Sequence, residues 1–244
     1  MITIDFNKLD IKPSSRILDI GCGEGRHTIK ACQQNQTFCV GADFEFKNLV
    51  ATKEKIKIHQ DFNDLSCKSI DLSCMDITNL PFCINSFDII ICSEVLEHIL
   101  DDKKAIYELV RILKPGKTLA VSVPRFWPEK LCWVFSDEYF NANMGHVRIY
   151  KKKSLIKNIE SFGVKHFAMH YAHSIHAPFW WLKCLIGPNK TDSKLVNLYH
   201  RILVWDLMKK PEITAFVDRL LNPLLGKSLV VYFRKNRLEK MKNE

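Results

Sequence analysis

The sequence lacks any run of about eighteen uncharged apolar residues, the length that a membrane-spanning helix needs. It also lacks a basic segment followed by an apolar one at its start, so no secretory signal is expected. The chain has nine cysteines but no CxxC pair, and several cysteines lie within apolar runs. We therefore expect reduced, buried thiols rather than disulfides or a zinc site, and a cytoplasmic location.

Tryptophan is absent from the first 124 residues, and 18 of the 26 aromatic residues follow that point. Charge is divided in the same way. Residues 1–124 contain 15 basic and 17 acidic side chains, a net charge of −2, whereas residues 125–244 contain 21 and 10, a net charge of +11. This division predicts a neutral core followed by a surface that meets an anionic or apolar partner.

Short apolar runs alternate with polar or amphipathic segments along the chain. They predict strands at Arg16–Ile20, Phe38–Asp43, Ile70–Met75, Phe87–Cys92, Thr118–Val123, Val164–Tyr171 and Ser228–Phe233. Asp101–Leu113 is predicted to be an amphipathic helix that Asp101 caps and that the Lys-Pro-Gly sequence at 114–116 stops. After Pro124 we expect a loop rich in aromatic residues. Strands that alternate with helices predict a doubly wound α/β fold with a mostly parallel sheet.

A glycine-rich segment follows the first predicted strand directly, at Gly21–Gly25 (GCGEG). Glycines at such a place permit a sharp turn and the close approach of a ligand to the backbone. Asp43 ends the second strand, and Asp76 follows the third. Because the carboxyl ends of parallel strands meet at one edge of a sheet, the loop and both carboxylates together favour a nucleoside site. Asp43 suits the ribose hydroxyls, and Asp76 lies within reach of an adenine ring.

Together these segments resemble the class I S-adenosylmethionine-dependent methyltransferases of the type 11, ubiquinone-biosynthesis-like group. The resemblance covers about residues 15–171 and rests on Ile17–Gly25 (ILDIGCGEG), Val40–Asp43 (VGAD), Asp76 with Leu80–Phe82 (LPF), Ser86–Asp88 (SFD), Glu94–His98 (EVLEH) and Arg111–Gly116 (RILKPG). It implies a seven-stranded sheet of order 3-2-1-4-5-7-6 with an antiparallel strand seven, and it implies S-adenosyl-L-methionine as the cofactor.

The same resemblance implies a set of cofactor-binding residues: Asp19, Gly21, Cys22, Gly23, Gly25, Asp43, Phe44, Asp76, Ile77 and Ser93. Asp19 and the glycine loop would hold the methionine end of the cofactor, and Asp43 the ribose. Asp76 and Ile77 would hold the adenine, and Ser93 would border the pocket.

A catalytic base is needed only where the acceptor carries a proton that must leave. His98 and His146 are the candidate catalytic residues, because His98 follows the fourth strand and lies nearest the expected methyl group. A structural role for His98 is the alternative. Further candidates are His170, His173 and His176. The histidines between 166 and 176 have no fixed ligand spacing and no acidic partner nearby, so no metal is expected.

We interpret residues 1–244 as a single domain in which residues 1–124 form the cofactor-binding core. Residues 125–225 are expected to supply acceptor-binding loops and an insertion, and residues 226–244 the last strand and a polar tail. The aromatic and basic side chains of the second part predict an apolar or lipid-like, isoprenoid-like acceptor and contact with an anionic membrane, with Trp180 and Trp181 at the membrane interface.

Three other functions compete with this interpretation. An RNA methyltransferase would use the basic second half to bind phosphates, although no nucleic-acid motif is present and nucleic acid is the less favoured partner. A non-catalytic, cofactor-binding scaffold would need the same loop. A nicotinamide-dependent dehydrogenase would need glycine at position 26 for the GxGxxG pattern, and this chain has Arg26.

Overall fold

Seven strands form one sheet in the order β3-β2-β1-β4-β5-β7-β6. The computed structural model describes residues 1–34, 36–136, 138–139, 146–187, 190, 192–209 and 211–237. The strands are β1 (Arg16–Ile20), β2 (Phe38–Asp43), β3 (Ser69–Cys74), β4 (Phe87–Ser93), β5 (Leu113–Pro124), β6 (Val164–Ala172) and β7 (Ser228–Lys235). The polar tail expected at the carboxyl end, residues 238–244, lies outside the described residues.

Eight helices connect or cover the strands within the described part of the chain. They are α1 (Arg26–Cys32), α2 (Phe46–Asp61), α3 (Asp102–Ile112), α4 (Phe126–Phe135), α5 (Lys152–Glu160), α6 (Ala177–Ile186), α7 (Lys194–Lys209) and α8 (Glu212–Leu225). Short 3-10 helices occur at Phe6–Lys8, Leu96–His98 and Ser174–His176.

The sheet topology confirms the predicted order and the antiparallel last strand. Strands β1 to β5 pair in parallel, and β7 runs antiparallel to both β5 and β6. Ile20 at the end of β1 pairs with Ala42 on one side and Cys92 on the other, so these strands end at one edge. Every residue of β4 is buried, as expected for a central strand covered on both faces.

Two apolar layers cover the faces of the sheet. On one face, α3 and α5 pack through a cluster that includes Leu109 and Leu155. On the other face, α1 packs together with the segment before β1, whose Ile4 and Leu9 are buried. The side chain of Asp101 accepts a hydrogen bond from the Lys104 amide at 3.0 Å, which confirms the predicted cap of α3.

The structure corrects two local expectations. Helix α3 ends as predicted, but the Lys-Pro-Gly sequence that follows is part of β5, which begins at Leu113 and pairs there with Phe87. The aromatic-rich segment after Pro124 is helix α4 rather than a loop. This helix packs against α6 through Cys132 and Cys184, and local sequence patterns do not reveal such a distant partner.

Candidate functional site

The glycine loop after β1 takes a left-handed backbone at Gly21, Gly23 and Gly25, with φ of +69°, +53° and +80°. A Cβ atom at Gly21 would lie 2.2 Å from Val95 Cγ2, and one at Gly25 would lie 2.5 Å from Thr52 Cγ2. Packing therefore requires glycine at these two positions. Gly23 differs, because a Cβ atom there would meet nothing within 4 Å. The open side of the loop thus lies at Gly23, where a ligand can approach the backbone.

Asp43 connects the end of β2 to the glycine loop. Its Oδ2 accepts a hydrogen bond from the Gly23 amide at 2.7 Å, and its Oδ1 accepts from the Glu45 amide at 2.9 Å and from Asn48 Nδ2 at 3.0 Å. The carboxylate is therefore fixed in orientation beside the open position of the loop. A carboxylate offers about four acceptor sites, so Oδ2 keeps one for a ligand hydroxyl.

Asp19 on β1 is a buried carboxylate with an unsatisfied oxygen. Thr28 Oγ1 donates to its Oδ2 at 2.6 Å, whereas Oδ1 has no partner. Burial raises the pKa of Asp19 to about 6, against the opposing hydrogen bond from Thr28. Such an acceptor is costly to leave unpaired, and a cationic ligand group beside it would relieve that cost.

Backbone hydrogen bonds of Cys22 hold the glycine loop against β2. Its amide donates to the Ala42 carbonyl at 2.9 Å, and its carbonyl accepts from the Gly25 amide at 2.9 Å. Burial, together with the nearby charges of Asp19 and Asp43, raises the pKa of the Cys22 thiol to about 12. Cys22 therefore stays neutral and shapes the loop rather than presenting a charged group.

The residues expected around adenine lie next to the end of β2. The Met75 amide donates to the Asp43 carbonyl at 3.1 Å, which places Asp76 and Ile77 beside that strand. Asp76 is exposed and accepts from the Thr78 amide at 2.8 Å, whereas Ile77 is buried. The Phe44 ring, just after Asp43, is exposed. These three side chains would suit one end of a nucleoside pocket, because they combine an apolar group, an exposed ring and an accessible carboxylate.

Side-chain hydrogen bonds link the carboxyl ends of β4 and β5. Ser93 Oγ lies 2.8 Å from Ser122 Oγ, and Ser122 Oγ lies 2.9 Å from Glu94 Oε1. Glu94 has a φ of +58°, unusual for a residue other than glycine, and burial raises its pKa. Ser93 thus contacts β5 through Ser122. Glu94, the next residue in the chain, was not among the predicted site residues, and it hydrogen-bonds to the same serine.

The two candidate catalytic histidines come together although 47 residues separate them in the chain. The ring centroids of His98 and His146 are 4.7 Å apart. Nδ1 of His146 lies 3.0 Å from Oε1 of the buried Glu129 on α4. A histidine held by a carboxylate in this way has a defined ring orientation and suits proton transfer. His98 and His146 were both predicted as candidates from the sequence, but nothing in the sequence pointed to Glu129.

Among the remaining histidine candidates, His170 and His173 contact the amino-terminal segment, and the ring of His176 lies 5.9 Å from that of His173. Nε2 of His170 lies 3.2 Å from the Thr3 carbonyl oxygen, and Nε2 of His173 lies 3.1 Å from Thr3 Oγ1. His27 on α1 accepts a hydrogen bond from the Thr3 amide at 3.1 Å, and burial lowers its pKa to about 3. Three neutral rings therefore hold this segment on the sheet, and His170 and His173 have a structural role.

Comparison with known proteins assigns the segment that contains the glycine loop and β1 to β5. Residues 18–121 match a family model described as a methyltransferase domain. This segment is therefore similar to a methyltransferase domain, and it makes up a little less than half of the chain. The match begins at Leu18 in β1 and ends at Val121 in β5, so it contains all ten predicted cofactor-binding residues and the carboxyl ends of β1 to β4.

Curated relatives share this domain over part of their length. The demethylmenaquinone methyltransferase of Corynebacterium urealyticum is 31% identical over 115 residues, which cover 47% of this chain and 44% of the relative. The chain thus matches a little less than half the length of that relative.

Solved structures share the fold over almost the whole chain. An S-adenosylmethionine-dependent methyltransferase from Methanosarcina mazei has a TM-score of 0.59 at 14% identity, covering 94% of this chain and 95% of that one. The cyclase SpnF has a TM-score of 0.61 at 17% identity, covering 95% and 79% respectively. The likeness in fold therefore extends beyond residues 18–121 to the complete seven-stranded sheet.

Proposed function

We propose that the chain is an S-adenosylmethionine-dependent methyltransferase. The observation that carries the proposal is the juxtaposition of the open Gly23 backbone, the oriented Asp43 carboxylate and the unsatisfied Asp19 oxygen within a methyltransferase domain. The cofactor would supply a methyl group that is already electrophilic, so the protein need not activate it. The residues of this chain bind it, orient it and exclude water, which contributes on the order of 7–11 kcal/mol to such a reaction.

Asp19→Asn tests the methionine end of the site through two opposite effects. In the native chain the pKa of Asp19 is raised from 3.8 to about 6, so the folded state holds a proton that the unfolded state releases between these values. Stability therefore falls as the pH rises through that window. At pH 7 the variant, which carries no charge to bury, should be more stable without cofactor by ~1–3 kcal/mol.

The same variant should bind S-adenosylmethionine more weakly, because it loses the anion next to the cofactor's ammonium group. Urea unfolding from pH 4 to 8 and calorimetric titration measure the two effects separately. A variant that is less stable than the native chain and binds the cofactor equally well would contradict this role for Asp19. Thr28→Val, which removes the hydrogen bond to Asp19 but keeps the Asp19 carboxyl group, is the control and should lower stability.

We propose further that residues 125–225 bind the acceptor. Trp181 Nε1 donates to the Pro128 carbonyl at 3.1 Å, and the rings of Trp127 and Trp181 are 5.3 Å apart. These contacts pack α6 against α4, whose Glu129 holds His146 beside the end of β4. Trp180 and Trp181 are therefore half-buried packing residues. We infer that other side chains make the proposed membrane contact.

An exposed apolar surface lies on the last two helices of this segment. Helix α8 has no buried residue, and one of its faces carries the exposed side chains Ile213, Phe216, Val217, Leu220 and Leu224. Helix α7 exposes a second row: Leu195, Leu198, Ile202, Trp205 and Met208. Both rows have helical spacing. Exposed apolar rows of this extent are typical of a surface that contacts a membrane or a large apolar ligand.

These rows support an apolar, isoprenoid-like acceptor that is taken from an anionic membrane. The net charge of +11 in residues 125–244 adds attraction to anionic headgroups, about 1 kcal/mol for each basic residue near the surface. The relative named demethylmenaquinone methyltransferase is consistent with such an acceptor. No helix in the described ranges is long and apolar enough to cross a bilayer.

The membrane contact is tested with α8 variants and vesicles. Ile213 and Phe216 are 70% and 63% exposed, so the double change to aspartate should leave the fold intact and reduce co-sedimentation with phosphatidylglycerol vesicles at least about tenfold. The matched control is Phe62→Asp at the end of α2, because Phe62 is 79% exposed and lies outside this surface. Binding should also weaken as salt is added.

The RNA methyltransferase alternative is decided by the same samples. If the native chain does not bind vesicles but binds single-stranded RNA with a strong salt dependence, the basic surface binds a nucleic acid. Equal vesicle binding by the α8 double variant and the native chain would contradict the proposed membrane surface.

A further inference from the structure

Three potential metal ligands converge beside the end of β4. Glu97 and His98 belong to the 3-10 helix Leu96–His98, and His146 lies in the segment that leads to α5. One side-chain ligand atom from each of the three lies within 4.8 Å of the other two. The Val147 amide donates to the Glu97 carbonyl at 2.9 Å, so the two segments are joined next to the cluster.

Glu97 is the unusual member of this cluster. Its side chain is 1% exposed, and neither carboxylate oxygen has a hydrogen-bond partner. Burial raises the pKa of Glu97 well above its usual range, and the charge of Glu94 adds to this effect. A buried carboxyl group with no partner is destabilising, and folding alone gives no reason to keep it. A bound cation would satisfy both oxygens.

Glu129 provides the support that a metal-binding histidine ordinarily has. Its Oε1 lies 3.0 Å from Nδ1 of His146 and accepts a hydrogen bond from the Tyr139 hydroxyl at 3.3 Å. A carboxylate that holds one ring nitrogen fixes the tautomer and leaves the other nitrogen, here Nε2, for a metal ion. Burial would raise the pKa of Glu129, but the hydrogen bond from His146 and, to a lesser degree, the nearby Lys227 hold it below its ordinary value.

We propose that Glu97, His98 and His146 bind a divalent first-row transition-metal ion such as Zn²⁺, with Glu129 positioning His146. Two imidazole nitrogens and one carboxylate suit such ions, whereas Ca²⁺ and Mg²⁺ prefer oxygen ligands alone. Bond lengths of 2.0–2.2 Å place neighbouring ligand atoms roughly 3.4 Å apart in a tetrahedral site.

This site was not predicted from the sequence, because only the histidines between 166 and 176 are close enough in the chain to suggest a metal site. The proposed ligands come from two segments that are distant in the chain, and the supporting carboxylate comes from helix α4. The three protein ligands leave at least one coordination position open. We infer that this position takes an oxygen atom of the acceptor, a role that rests on the proposed methyltransferase function.

Metal binding is tested on the full chain after removal of metals with a chelator. Calorimetric titration with Zn²⁺ should show one site, and Glu97→Gln and His146→Ala should each weaken it by about 100-fold or more. Glu129→Gln should weaken it by about 10- to 100-fold, as changes to supporting groups do. The matched control is His166→Ala, because His166 Nδ1 lies 2.7 Å from Glu160 in an exposed pair; this variant should bind Zn²⁺ normally.

Substitution with Co²⁺ identifies the ligands independently. The visible spectrum should show bands of nitrogen and oxygen ligation without the thiolate charge-transfer absorption that the cysteines would produce. A thiolate band, or Zn²⁺ binding that is unchanged in a folded Glu97→Gln variant, would overturn the site. Binding of S-adenosylhomocysteine, measured on the same samples, should persist in every variant. A chain that binds Zn²⁺ but no sulfur nucleoside would overturn the methyltransferase proposal and leave the metal site standing.

Discussion

Gly23→Val should reduce binding of S-adenosylhomocysteine to an undetectable level. A Cβ atom at this position meets nothing within 4 Å, so the branched side chain would project into the space where the cofactor approaches the loop. Binding is measured by calorimetry, and circular dichroism verifies the fold. The left-handed backbone at Gly23, with a φ of +53°, adds strain that must be separated from this steric effect.

Gly163→Val separates the two effects. Gly163 also has a left-handed backbone, with a φ of +87°, and a Cβ atom there likewise meets nothing within 4 Å, but it lies between α5 and β6. Its substitution introduces comparable strain without approaching the cofactor, so nucleoside binding should persist. If folded Gly23→Val still binds S-adenosylhomocysteine, the loop is only a turn between β1 and α1.

Asp43→Ala should weaken S-adenosylhomocysteine binding by roughly 10- to 150-fold, because hydrogen bonds to a charged group contribute about 1.5–3 kcal/mol. The structure adds a second effect, since the variant leaves the Gly23 and Glu45 amides without their acceptor. Some loss of thermal stability is therefore expected as well, and a calorimetric titration must be made well below the melting temperature.

Asp71→Ala is the matched control for Asp43. Asp71 is an exposed aspartate on the neighbouring strand β3, and its removal should change nucleoside affinity by less than twofold. An equally small effect for Asp43→Ala would mean that Asp43 only fastens the glycine loop to β2 and does not bind the ribose.

Local sequence predicted the strands of the sheet and the cap of α3 because each depends on neighbouring residues. Phe87–Cys92 was predicted as a covered strand, and β4 is Phe87–Ser93 with every residue buried. Local sequence was less informative after Pro124. The apolar side chains of α4 pack against α6, about fifty residues later in the chain. The segment therefore lacks a local helical pattern, and its aromatic-rich composition favoured a loop.

Three prolines of the insertion lie at or near the ends of helices. Pro178 lies in the first turn of α6, where a missing amide costs little, and Pro211 precedes α8. Pro223 lies inside α8 near its end. The described part of the insertion thus contains three helices, α6, α7 and α8.

The order of the elements, the glycine loop and the acidic strand ends could be predicted from local sequence, because a parallel α/β sheet brings consecutive strand ends to one edge whatever packs around them. Three features became visible in the folded chain alone: the open position of the loop at Gly23, the unsatisfied oxygen of Asp19, and the meeting of Glu97, His98 and His146 beside Glu129. Burial and contact between residues far apart in the chain arise from packing in three dimensions, which local spacing does not encode.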